Sequence, residues 1–160
     1  MTEGATYPSL RDRVVFISGG GSGIGAAIVE AFCEQHAKVA FVDRDVEASE
    51  ATVDLIRDRG LPAPDFTECD LRDIAAYQAA IAGVASRLGP ITALVNNAAH
   101  DERHRIEDVT PEYWDDRMAV NLRHQFFAVQ AVREGMAAAG GGAIVNLGSV
   151  TWMIGQGGMP

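Results

Sequence analysis

The chain has 160 residues, 48% of them apolar, and a formal net charge of −9. That length and apolar content suit one domain with a substantial core and exclude a disordered chain. The acidic balance argues against nucleic acid or an anionic membrane as partner, because phosphate binding needs a basic footprint.

Met1 to Leu10 has neither a basic start nor an apolar core, so it does not read as a signal peptide. No apolar run approaches the ~20 residues that span a bilayer. A first strand is expected over 13–18, where Val14 to Ile17 are apolar and glycines follow. A helix is expected over 24–36. Between them, Ser18-Gly-Gly-Gly-Ser-Gly-Ile-Gly25 forms a strand-to-helix turn. Such a turn leaves backbone N–H groups free at a helix N-terminus, where the macrodipole favours an anion. Glycine at positions such as Gly19, Gly23 and Gly25 lets a phosphate reach that backbone.

The second strand, 38–43, ends on Asp43, 18 residues after Gly25. That is close to the roughly 20 expected of a ribose-binding carboxylate. The alternative makes Asp43 a helix N-terminal acid before a helix over 45–59. Arg44 could hold a 2′-phosphate, but Asp43 would repel one and the glycine turn carries no base. The balance favours NAD over NADP.

A third strand is expected over 64–69, followed by Asp70 and a helix over 71–88. Ile74, Tyr77, Ile81, Val84 and Leu88 recur there at steps of three and four, and Gly89-Pro90 stops the run. Asp70 can accept an adenine amine, or cap helix 71–88, or do both with its two oxygens. The fourth strand, 91–96, runs into Asn96-Asn-Ala-Ala99. Adjacent amides and small residues suit close approach of a flat ligand, with amides tying neighbouring strands; an Asn-rich turn is the plainer reading. Thr110-Pro111 opens a helix over 111–138. Its stripe of Trp114, Met118, Leu122, Phe126 and Val129 is core by default. A fifth strand over 143–148 leads to Gly148-Ser149.

Cys33 and Cys69 make no disulfide framework and point to a reducing cytoplasm. His100 and His104, with Asp101, have metal-ligand types, but no second cluster accompanies them, and no metal is expected. Apolar strands alternating with helices imply a parallel sheet covered on both faces, a doubly wound α/β fold of the Rossmann type. Ligands of such sheets bind outside the strands' carboxyl ends, here Ser18-Gly19, Asp43, Cys69-Asp70, Asn96-Asn97 and Gly148-Ser149.

Taken together, the glycine turn 18–25, Asp43, Asp70, Asn96-Asn-Ala-Ala99, Asn121 and Gly148-Ser149 resemble the short-chain dehydrogenase/reductase family along the whole chain. Ser18 stands where that family usually has threonine, and Ala99 where it has glycine. The resemblance implies a nicotinamide cofactor and hydride transfer at a carbon bearing oxygen. Gly19, Gly23 and Gly25 would form the pyrophosphate turn, with contacts from Ser22 and Ile24. Asp43 would hold the adenosine ribose, Asp70 and Leu71 would flank the adenine, and Asn97 with Ala98 would pass beside the nicotinamide ribose. Ser149 would hydrogen-bond the reacting oxygen, and Asn121 would sustain a water-linked proton relay. The family's tyrosine acid/base, with its lysine, would fall about thirteen residues beyond Ser149, past Pro160. The chain is thus expected to be the front part of an enzyme, inactive alone and lacking its last strands and substrate lid. The fourth helix would pack against its twin in a homotetramer.

A narrower resemblance lies in Ala99-His-Asp-Glu-Arg-His-Arg105, Tyr113-Trp-Asp-Asp-Arg117, Val120-Asn-Leu-Arg-His124, Gly148-Ser-Val-Thr-Trp152 and Tyr7-Pro-Ser-Leu10. These segments are similar to the NAD-dependent aldose 1-dehydrogenases, the D-xylose-oxidising ones in particular, which convert an anomeric hydroxyl to a lactone. Asp101, Arg103, His104 and Trp152 could supply a sugar's polar contacts and aromatic face; a solvated loop and a core tryptophan are the alternatives. The rival function is a non-catalytic dinucleotide-binding sensor or interaction module.

Overall fold

The computed structural model describes residues 5–151, 153–155 and 158. Five parallel strands form one sheet in the order β3-β2-β1-β4-β5. They are β1 (Val14–Ser18), β2 (Lys38–Asp43), β3 (Asp65–Glu68), β4 (Ala93–Asn96) and β5 (Ala143–Asn146). The helices are α1 (Gly23–Glu34), α2 (Val46–Asp58), α3 (Ile74–Leu88), α4 (Pro111–Met118) and α5 (His124–Ala138), with a π-helical turn at Ala119–Arg123 joining the last two. Short 3-10 turns lie at Pro8–Leu10 and Ile106–Asp108. This is the Rossmann-type α/β fold the alternation implied.

Side chains alternate across the sheet, so one strand feeds two cores. Val14, Phe16, Ala40, Val42 and Leu94 face α3 and α5, meeting Tyr77, Ile81, Val84, Ala128 and Val132. Val15, Ile17, Val39, Phe41 and Val95 face α1 and α2, meeting Val29, Cys33 and Ile56. All five residues of β1 are buried, as the continuous apolar run requires of a central strand. Each fully buried Val, Leu, Ile or Phe among them contributes about 1.5–3 kcal/mol by leaving water.

Side chains set where the helices begin. Asp45 accepts the Ala48 N–H to start α2, Asp73 accepts that of Ala76 to start α3, and Thr110 accepts that of Tyr113 to start α4. Asp70 therefore does not cap the third helix. Asp73 does, and the helix opens three residues later than expected, at Ile74.

The expected apolar stripe of the fourth helix is also corrected. Trp114, Met118, Leu122 and Phe126 are exposed, Phe126 to 67%, and Val129 alone of the five packs on the core. The face that is buried carries His124, Ala128, Val132 and Met136. The π turn adds a residue to the winding, which rotates the helix after it and turns a different stripe inward. At the sheet's two edges, β3 is half-buried and β5 is exposed along its length. Among the described residues, no helix is long and apolar enough to cross a membrane.

Candidate active site

The glycine turn leaves β1 at Gly19, whose φ is +73°, and enters α1 through Gly23 at +55°. Both values suit glycine and strain other residues. Space matters as much as angle. A Cβ on Gly25 would overlap the Gly19 carbonyl and lie 2.7 Å from Asn97 Nδ2, while one on Gly23 would meet nothing within 4 Å. Ser22 precedes α1 but makes no side-chain cap, and no acid sits in the helix's first turn. The first N–H groups of α1 therefore point outward beside a glycine with open space around it. An anionic group such as a pyrophosphate fits this donor set.

Asp43 holds the turn from the next strand. Its Oδ2 accepts the Gly21 N–H at 2.9 Å, and its Oδ1 accepts that of Asp45 at 3.1 Å. The role of helix-starting acid falls to Asp45, so Asp43 is a strand-end carboxylate facing the turn.

From the other side, Asn97 straps β4 to the same turn. Its Nδ2 donates to the Gly19 carbonyl at 2.8 Å and to that of Ser18 at 3.2 Å. Ser18 Oγ accepts the backbone N–H groups of Asn97 and Ala98. Asn96 Nδ2 donates to Asn146 Oδ1 at 2.8 Å, joining the ends of β4 and β5.

The segments leaving β1, β2, β3 and β4 surround a cavity of about 370 Å³. Gly19, Ser22, Ile24, Gly25, Asp43, Asp70, Leu71, Asn97 and Ala98 line it, all of them expected from the sequence; Gly23 stands outside the lining. Asp70 Oδ1 accepts the Arg72 N–H at 3.0 Å and pairs with that guanidinium, which reaches on to Asp116 at 3.1 Å. Cys69 lies in the wall, its thiol pushed up first by burial and then by Asp70 and Asp73.

Arg72, His100 and Val120 line this wall too, beyond the residues expected from the sequence. The clue to His100 is its position directly after Asn-Asn-Ala-Ala. Asn121, in the π turn, clamps its peptide: Oδ1 accepts the His100 N–H at 2.7 Å and Nδ2 donates to its carbonyl at 3.2 Å. The Asn121 carbonyl itself accepts Gln125 Nε2 at 2.9 Å.

The expected substrate residues are less gathered. Asp101 and Arg103 form an exposed pair at 3.7 Å outside the lining. His104 packs edge-on against Tyr113, with Nδ1 3.0 Å from the phenol oxygen. β5 ends at Asn146, short of the expected 148. Ser149 is exposed beyond it and outside the cavity wall, its Oγ 2.8 Å from Thr151 Oγ1. Trp152 lies outside the described residues.

A parallel sheet in this order, with an open cavity across its carboxyl ends, a glycine turn on one wall and a carboxylate one strand away, defines an α/β nucleotide-binding fold of the Rossmann class. Comparison with known proteins refines that. The model of the short chain dehydrogenase family matches residues 13–160, and the chain belongs to that family. It is 49% identical over 148 residues to a protein of Rhizobium meliloti (strain 1021) named probable galactose dehydrogenase, covering 92% of this chain and 58% of that one. It is 45% identical over 151 residues to D-xylose 1-dehydrogenase of Caulobacter vibrioides (strain NA1000 / CB15N), covering 94% and 59%. A solved gluconate 5-dehydrogenase from Burkholderia cenocepacia J2315, in complex with NADP and tartrate, matches with a TM-score of 0.82 at 33% identity, over 94% of this chain and 58% of that one. The chain thus spans less than two thirds of the length of these relatives.

Proposed function

We propose that the full-length protein is an NAD-dependent oxidoreductase that oxidises the anomeric hydroxyl of an aldose to the lactone. The observation that carries the cofactor reading is Asp43, a carboxylate bonded to the glycine turn on the cavity wall. On this reading Gly19, Ser22, Gly23, Ile24 and Gly25 receive the pyrophosphate, and Asp43 accepts the hydroxyls of the adenosine ribose. Asp70 and Leu71 flank the adenine, and Asn97 with Ala98 borders the nicotinamide ribose. NAD, when bound, supplies the hydride acceptor. Ser149 donates a hydrogen bond to the reacting oxygen. Asn121 anchors a proton relay through its backbone carbonyl, which also accepts Gln125 Nε2.

The names of the Rhizobium and Caulobacter relatives support an aldose as substrate. We assign the sugar contacts to Asp101, Arg103 and His104 in the loop leaving β4, and to Trp152. The exposed row Trp114, Met118, Leu122 and Phe126 supports assembly of copies, a homotetramer, through α4 and α5. The buried free thiols Cys33 and Cys69 suit the cytoplasm.

NADP is the second reading. Arg44 shares the cavity wall with Asp43, and the Burkholderia relative is in complex with NADP. Titration of the full-length protein with both dinucleotides separates them. NAD should bind about tenfold or more tighter, and Asp43→Ala should narrow that ratio by weakening NAD. An NADP preference in the wild type overturns the cofactor assignment. Absence of reduction of either dinucleotide with D-xylose, D-galactose and other aldoses overturns the substrate.

A further inference from the structure

Ser18 is fully buried at the end of β1, and its hydroxyl is where two strand ends meet. Oγ accepts the backbone N–H of Asn97 at 3.1 Å and that of Ala98 at 3.2 Å. A serine oxygen offers two lone pairs and one proton, so those two bonds fill its acceptor capacity. Its own O–H then needs an acceptor inside the core, because a buried hydroxyl without one costs about 1–3 kcal/mol.

Two side chains adjoin it. The Tyr77 hydroxyl, brought by α3, lies beside Ser18 but makes no hydrogen bond of standard geometry among the described residues. His124, the first residue of α5, is also fully buried and sets its Nε2 3.4 Å from Ser18 Oγ. Burial holds the imidazole below the usual histidine range, against a smaller opposing effect of the Val120 backbone. A neutral ring keeps one nitrogen bare, and the nitrogen facing Ser18 is the one that can accept.

We propose that His124 is a positioning residue for the cofactor-binding edge: its bare Nε2 accepts the hydrogen bond that the Ser18 hydroxyl donates, which fixes Ser18 Oγ as the acceptor holding the Asn97–Ala98 backbone in the cavity wall. Its effect on binding rests on the dinucleotide reading above; the hydrogen-bond assignment itself stands on the chain's own geometry. The tautomer follows. Nδ1 then carries the ring proton; its neighbour is the Val120 backbone in the π turn, with which it makes no hydrogen bond of standard geometry among the described residues. Asn121, three residues before His124, holds the next peptide along at His100. One turn of helix thereby sets the exit of β4 at two points.

The test uses the full-length protein. Nitrogen NMR of the imidazoles should find His124 neutral, with Nδ1 protonated and Nε2 bare. His124→Leu fills the space without offering an acceptor, and amide exchange at Asn97 and Ala98 should quicken about fivefold to tenfold. His124→Gln restores an acceptor and should recover most of that protection. The Kd for NAD should rise by a similar factor in His124→Leu, and on a Ser18→Ala background the same substitution should have no further effect. A charged or Nε2-protonated ring overturns the proposal, as do unchanged exchange in folded His124→Leu or additive effects of the two substitutions. Should His124→Leu fail to fold, the wild-type tautomer and the His124→Gln variant decide. Should the wild type bind no nicotinamide dinucleotide, the cofactor reading falls, while tautomer and exchange still decide the role of His124.

Discussion

Gly23 and Gly25 stand two residues apart in one turn and are glycines for different reasons. Gly23 is constrained by angle, its φ being +55°, with nothing within 4 Å of an added Cβ. Gly25 sits in ordinary helix but is constrained by space, against the Gly19 carbonyl and Asn97 Nδ2. Gly23→Ala should therefore cost about 1–2 kcal/mol of backbone strain and leave the Asn97 strap intact. Gly25→Ala must push the turn away from β4 and break the bond from Asn97 to Gly19, costing about 3 kcal/mol and most of the dinucleotide affinity. Urea unfolding and cofactor titration of the two variants check this. Equal losses in both would mean that the turn is shaped by backbone angle alone.

The π turn between α4 and α5 holds the His100 stretch of the cavity wall. Asn121 turns its side-chain amide onto the backbone of His100, one bond as acceptor and one as donor. Asn121→Ala should cost about 1–2 kcal/mol and quicken amide exchange at His100, while Asn121→Asp keeps the acceptor and should lose about half as much. Exchange measured by NMR checks it, and an unperturbed His100 amide in Asn121→Ala would refute it. The same turn marks where the sequence stopped being legible. Val14–Ile17 and Val39–Val42 announced buried parallel strands because a strand covered on both faces has no polar side to show. Asp43, Asn97, Gly19 and Gly25 are legible at the cavity because ligands of such sheets gather at strand ends, a rule of topology and not of side-chain detail. An added residue in a helix leaves no mark on composition, so a straight period through 119–123 puts Phe126 on the wrong side, while Trp114 and Met118, before the turn, are exposed for a reason that periodicity alone does not carry. Asp70 has the residue type of a helix cap, but the backbone begins to wind only at Ile74, which gives the cap to Asp73. His100 escaped because a loop imidazole looks the same in sequence whether its peptide is clamped or free.

Across the whole molecule, both faces of the sheet bury a group that must stay protonated. Cys33 lies between the sheet and α1, its thiol pushed from the ordinary 9.0 up to about 12 by burial. Cys69 and Tyr77 lie on the opposite face, each raised first by burial, with a smaller lowering effect of Ser18 on Tyr77. A raised acid binds its proton in the folded chain after the unfolded chain has released it. Folding stability therefore holds its full value below pH 9 and falls as pH climbs from 9 toward about 12, by about 1.4 kcal/mol per pH unit for a thiol such as Cys33. The decline sets in one unit earlier for the thiols than for Tyr77, whose ordinary value is 10.0. Other groups also titrate in this range, so the decisive quantity is a difference between variants. Cys33→Ala removes one proton from the linkage and leaves a small cavity, so it should be less stable than wild type at pH 7, with a gap that narrows steadily above pH 9. Urea unfolding at half-unit steps from pH 7 to 11 reads that gap. A constant gap would show that the Cys33 thiol ionises as readily in the folded protein as in the unfolded one, and that the core around α1 is open to water.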